Sequence, residues 1–159
     1  MKLEYYNINE FIIYLNNDYI KKINLDLENN AEYNFRNLLD KLKSIYNLNL
    51  YGYYKVIVYI NKNYGIIIEL LKEDDEYIKI FGESLDLKIL FKPESKIFYE
   101  IETFNNYDIG KINIYYYNNK FYIEVLEIEK KDNYLSLLED SKIVYGKNLF
   151  NILNNMIKI

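Results

Sequence analysis

The chain contains no cysteine, histidine or tryptophan. It also has no glutamine, and only one proline (Pro93), one arginine (Arg36) and one alanine (Ala31). Without cysteine there are no disulfides, thiol nucleophiles or zinc–thiolate sites. Without histidine the commonest general base and metal ligand near neutral pH is missing, which excludes Ser-His-Asp and Cys-His arrangements. The glycines (Gly52, Gly65, Gly82, Gly110 and Gly146) are scattered at apparent turns, and none belongs to GxGxxG, GxxxxGK[ST] or GxSxG. No cofactor is expected. Long apolar runs are also lacking: the densest, 56–60 and 66–71, are strand-length and far short of the ~18 residues of a membrane span. The N-terminus, MKLEYYNINE, carries Glu4 and Glu10 and no apolar core of signal-peptide type. These absences predict a soluble cytoplasmic protein with no membrane association.

The charge is mildly acidic and evenly spread between the halves, and no basic block exists. Twenty basic residues oppose 24 acidic ones, for a net charge of -4. Nucleic-acid binding needs a positive footprint, and arginine is its preferred fork for phosphate and guanine, so that class is disfavoured. What the 159 residues do contain is Tyr (20), Ile (25), Asn (23) and Lys (19), more than half the chain. All four are encoded by A- and T-rich codons, and that bias accounts for most of the tyrosine excess. A compact chain of this length buries enough surface to fold without a staple. The length fits a single α+β domain over 1–159, with two tightly joined lobes at about 1–76 and 77–159 as the other division.

The pattern along the chain is one strong helix among many strands. Residues 11–15 (FIIYL) read as a strand, Asn16-Asn17-Asp18 as a turn, and 19–27 as a short strand or ordered loop. Phe35, Leu38, Leu39, Leu42, Ile45 and Tyr46 recur at spacings of three and four, predicting a helix over 30–46. Asn29 or Asn30 is its expected N-cap and Asn47 its stop. Strands follow at 53–60 and 66–71, joined by the turn 61–65. Further strands are expected at 77–81, 85–91 and 96–101. A second hairpin, 111–117 with 120–128, turns at Asn118-Asn119, where a type I′ turn needs positive φ twice. Residues 129–133 read as a charged break, 135–138 as a short helical turn, 142–145 as a strand and 149–157 as a terminal helix. The two hairpins echo one another, an echo that biased composition explains without a repeat. The fold expected is α+β: a mostly antiparallel twisted sheet, one long helix packed on one face, and a short C-terminal helix.

The chemistry left open is that of carboxylates, lysines and tyrosines. Glu73-Asp74-Asp75-Glu76 supplies oxygen ligands for Mg²⁺ or Ca²⁺ but lacks the ligand spacing and central glycine of an EF-hand loop, so a solvated charged loop is the simpler reading. Glu100 with Glu124 or Glu127 is a formal carboxylate pair for a small His-free enzyme, though polar strand-face roles explain all three. The run Tyr115-Tyr116-Tyr117 with Phe121-Tyr122 is a candidate stacking platform for single-stranded nucleic acid, but strand alternation splits it between two faces. Ordinary cross-strand aromatic packing accounts for it as well. The same tyrosines suit a protein-binding face, since Tyr is enriched in interface cores. An uncapped strand edge leaves homo-oligomerisation open.

The order of elements carries a resemblance. A strand, a long helix and a hairpin are followed by an aromatic-rich hairpin, Ile114-Tyr115-Tyr116-Tyr117-Asn118-Asn119-Lys120-Phe121-Tyr122-Ile123. Leu137-Leu138-Glu139 then leads to Tyr145-Gly146-Lys147 and a terminal helix with Leu149 and Ile152. This resembles the MecA-type adaptors, in which an N-terminal domain captures substrate and a C-terminal domain docks a Clp-type protease ATPase. The family's long linker between domains is missing, as is most of the helix expected before Tyr145-Gly146-Lys147. The resemblance implies a non-catalytic protein-binding adaptor or regulator with another protein as partner. Tyr115, Tyr117 and Phe150 are the candidate protein-binding residues by which such a role would be mapped.

Overall fold

The structure, a computed structural model, describes residues 1–7, 9–74, 80, 82 and 84–159. It is an α+β architecture of two five-stranded, mostly antiparallel sheets with four helices among the described residues. The chain divides into two compact units, one of Met1–Ile60 with Gly65–Lys92, the other of Asn61–Tyr64 with Pro93–Ile159. The single sheet expected from sequence is therefore two. Of the sequence expectations, Asp75, Glu76 and the strand at 77–81 lie outside the described residues, save for Ile80.

In the first unit the strands are β1 (Lys2–Asn7), β2 (Glu10–Asn16), β3 (Gly52–Asn61), β4 (Gly65–Asp74) and β5 (Leu85–Lys92). Their order is β1-β2-β4-β3-β5. β2 carries the apolar run FIIYL, and every residue of that run is buried, as a continuous apolar strand with neighbours on both sides requires. Against β4 its register is Phe11↔Leu70, Ile13↔Ile68 and Leu15↔Ile66. These side chains share a face with Val56, Val58 and Leu87 and form one core with the helix above them. β5 runs parallel to β3 rather than antiparallel, so this sheet is mixed. β1 was not foreseen, because KLEYYN is polar and mostly exposed and carries no alternating pattern.

The 30–46 periodicity becomes the helix α2 (Ala31–Tyr46), which buries Phe35, Leu38, Leu39 and Leu42. Its ends fall at Asn30 and Asn47 as expected, but the N-terminal end is not closed by a side-chain cap. Asn30 sits at the N-cap in left-handed conformation (φ 49°) and its side chain makes no cap bond. The preceding turn is held instead by Asp26, whose Oδ1 accepts the Glu28 and Asn29 N–H groups. Those bonds, with the Asn29 side chain first, hold the Asp26 carboxyl below the usual carboxylate range. Asn47 ends the helix at φ 52°, and the Leu48 N–H closes on Lys43 O at 2.9 Å. The stretch read as a turn followed by a short strand or loop contains instead the short helix α1 (Asn17–Lys22), capped by Asn16 Oδ1 on the Tyr19 N–H.

In the second unit the strands are β6 (Ile97–Ile101), β7 (Gly110–Tyr117), β8 (Lys120–Ile128), β9 (Lys142–Tyr145) and β10 (Ile157–Lys158). Their order is β10-β7-β8-β6-β9, antiparallel throughout. Asn118 and Asn119 take φ of 49° and 59°, as a type I′ turn requires. The end of the 129–133 break and the 135–138 turn prove to be parts of one helix, α3 (Lys131–Asp140), which buries Tyr134 and Leu137. The terminal helix, α4 (Gly146–Leu153), ends earlier than expected, and Ile157–Lys158 pair with β7 as a strand. Gly110 holds φ 144° with β8 backbone so close that a Cβ would meet Glu127 O at 2.6 Å.

Candidate functional site

The second sheet has two differently built faces. Phe98, Tyr122 and Val144 form a core with Leu149 of α4, and Tyr115, Tyr117, Ile152 and Leu153 pack against it. On the opposite face Tyr99 meets Tyr134 of α3 edge to face, at 5.9 Å between rings. Their hydroxyls hydrogen-bond at 2.7 Å in the interior. Burial pushes the Tyr134 phenol up to about 12 and Tyr99 higher still.

Two carboxylates lie among the tyrosines of the α4-covered face. Glu124 accepts from Asn113 Nδ2 at 2.9 Å and from Tyr115 Oη at 3.1 Å, with Lys96 Nζ 3.9 Å away. Glu100 accepts from Lys120 Nζ at 2.5 Å and from Tyr122 Oη at 3.1 Å. Desolvation, then the adjacent carboxylate, raises both phenols, Tyr122 to about 12. The Glu100 hydrogen bond and charge raise Lys120. These groups are thus held as proton donors, with the phenols neutral and the ammonium charged at neutral pH. A tyrosinate base or a lysine nucleophile needs the opposite shift. The arrangement orients strands and side chains, and its exposed donors can bind.

Beside Glu100 an open cleft of about 620 Å³ is lined by Glu102, Asn105, Lys120, Glu139, Asp140 and Lys142, among others. Tyr107 Oη donates to Asp140 Oδ2 at 3.1 Å at its wall. Ser141 Oγ, also lining it, is buried without a hydrogen-bond partner. Among the described residues no cluster of three or more carboxylates is placed to hold a metal ion.

The other face carries an apolar row that α3 does not bury. Phe104 stacks tilted on Phe121 at 5.7 Å, and Phe121 on Tyr116 at 5.3 Å. Tyr116 lies directly opposite Ile157 in the β7–β10 register. Ile157 is 66% exposed and Phe104 39%.

The sequence candidates thus fall in different places. Tyr115 and Tyr117 come together under α4, Tyr116 points to the opposite face, and Phe150 lies on the open side of α4, 72% exposed, outside that core. Glu100 and Glu124 share a face, each already bonded to a tyrosine, while Glu127 is exposed on β8 opposite Lys111. Glu73 and Asp74 end β4. Sequence reading missed the Tyr99–Tyr134 pair, because in a chain with 20 tyrosines no single one stands out, and Phe104, which lies beyond the end of β6. The chain was compared with protein-family models, with curated proteins and with solved structures, and it matches none of them.

Proposed function

We propose that this is a non-catalytic cytoplasmic protein that binds another protein through the apolar face of its second sheet. The observation that carries the reading is the row Phe104–Phe121–Tyr116–Ile157, continuous in contact and register and left partly in water. Contiguous exposed apolar surface of this kind marks interaction sites, and aromatic side chains supply most of the energy at interface centres. The partner class suggested by the adaptor resemblance is a Clp-type ATPase.

The test is affinity capture from host lysate with ATP present, comparing the tagged wild type with Phe104→Ser/Phe121→Ser and with Phe150→Ser. A protein retained by the wild type and by Phe150→Ser, and lost with the double variant, supports the face. An unchanged eluate from the double variant rejects it. Capture of a Clp-type ATPase by that face supports an adaptor, whereas loss with Phe150→Ser alone moves the site to α4.

A further inference from the structure

β5 is an edge strand: β3 lies on one side, and among the described residues no strand pairs with the other. Its pairing with β3 is parallel, Gly52↔Leu85 through Tyr59↔Lys92, and the Gly52 N–H donates to Ser84 O at 2.8 Å. Bonding directions alternate along a strand. Even-numbered residues of β5 therefore turn their backbone groups toward β3, and odd-numbered residues turn theirs outward. The Leu87 N–H shows this directly, since it donates to the side chain of Asp86, at 2.9 Å from Oδ1, instead of to a strand. Side chains alternate as well. Leu87 is buried and Leu85, Ile89 and Phe91 pack on the core, while Asp86, Lys88, Leu90 and Lys92 are exposed.

We propose that a second copy of this chain pairs antiparallel with the outer edge of β5, about a two-fold axis at Leu87, joining two first-unit sheets into one. An isologous edge pairing must oppose odd residues to odd residues, so the axis passes through a residue rather than between two. An axis at Lys88 sets lysine against lysine. An axis at Ile89 sets Asp86 against Lys92 but also Lys88 twice against the apolar Leu90. An axis at Leu87 sets Asp86 of each copy opposite Lys88 of the other, twice. Both are non-hydrogen-bonded pairs, where side chains approach closest and opposite charges stabilise. The Asp86 carboxylate then leaves the Leu87 N–H, which bonds the partner's Leu87 carbonyl. Leu85 and Ile89 oppose each other across the seam and extend the apolar face. This inference concerns the first sheet and does not rest on the partner-binding face of the second.

Sedimentation velocity of the full chain over a concentration series tests it. The wild type is expected to associate reversibly into dimers. Asp86→Lys and Lys88→Asp alone each place like charges across the seam and weaken dimerisation by about tenfold or more. The double variant Asp86→Lys/Lys88→Asp reverses both pairs and restores wild-type association. Circular dichroism of the variants, all at exposed positions, checks that folding is unchanged. A wild type that stays monomeric at the highest concentration reached overturns the proposal. So do single variants that dimerise normally, and a double variant no tighter than the singles. Rescue of Asp86→Lys by Lys92→Asp instead of Lys88→Asp overturns the Leu87 register.

Discussion

Tyrosine is the residue that decides most about the interior, and it does so as a neutral donor. Tyr99 and Tyr134 bond each other, Tyr122 bonds Glu100, and Tyr59 bonds Glu69 at 3.2 Å. A buried phenol needs such a partner. Replacing Tyr99 by Phe removes the 2.7 Å bond and is expected to cost about 1–2 kcal/mol in denaturant unfolding. Burial raises Tyr59, Tyr122 and Tyr134 to about 12, while an unfolded tyrosine ionises near pH ~10. Below pH ~10 both states hold the proton and this contribution is fully present. As pH rises from there through about 12, the unfolded state loses protons first and the stability is lost. Unfolding midpoints measured across that range, with phenolate absorbance as the second signal, should show a decline that starts near pH ~10 and a cooperative release of tyrosines. Independent ionisation of these phenols at the ordinary value would contradict it. None of these pairs was legible in the sequence. Tyr99 and Tyr134 are separated by 35 residues, and nothing local links them.

At the scale of elements the sequence was most informative where a period of three and four is long and clean. α2 formed over the expected stretch because Phe35, Leu38, Leu39 and Leu42 make one stripe that the first sheet covers. Leu42→Ala should therefore destabilise the protein by about 2–5 kcal/mol, with Lys41→Ala, on the exposed side, within about 0.5 kcal/mol. Equal effects of the two, by chemical denaturation, would mean that the helix does not face the core as described. The hairpin at Asn118-Asn119 was equally readable, because few residues besides Gly and Asn accept two successive positive φ angles. Short elements were not. α1 and β10 have six and two residues, too few for a period to show. α3 was half missed because its first turn, Lys131-Asp132-Asn133, is charged and polar, and only Tyr134 and Leu137 are buried.

For the whole molecule, charge and partition matter more than any element. The sequence pI is near 5.0 and the net charge at neutral pH is small, -4. Self-repulsion vanishes near the pI, so light scattering should show association greatest close to pH 5, falling again at pH 7 and above. No change in scattering across that interval would mean that apolar edges and faces, not net charge, govern solubility. The sequence by itself determined the long helix α2, the two hairpins, the α+β class and the absence of histidine and cysteine chemistry. These follow from local spacing and residue type, which the chain carries without reference to distant parts of itself. Only the tertiary structure decided that there are two sheets, that β5 lies parallel to β3, and that Glu100 and Glu124 each receive a tyrosine hydroxyl. Strand pairing joins residues far apart in sequence through backbone groups that every residue shares. A strand's pattern therefore tells which face is buried but not which neighbour it takes.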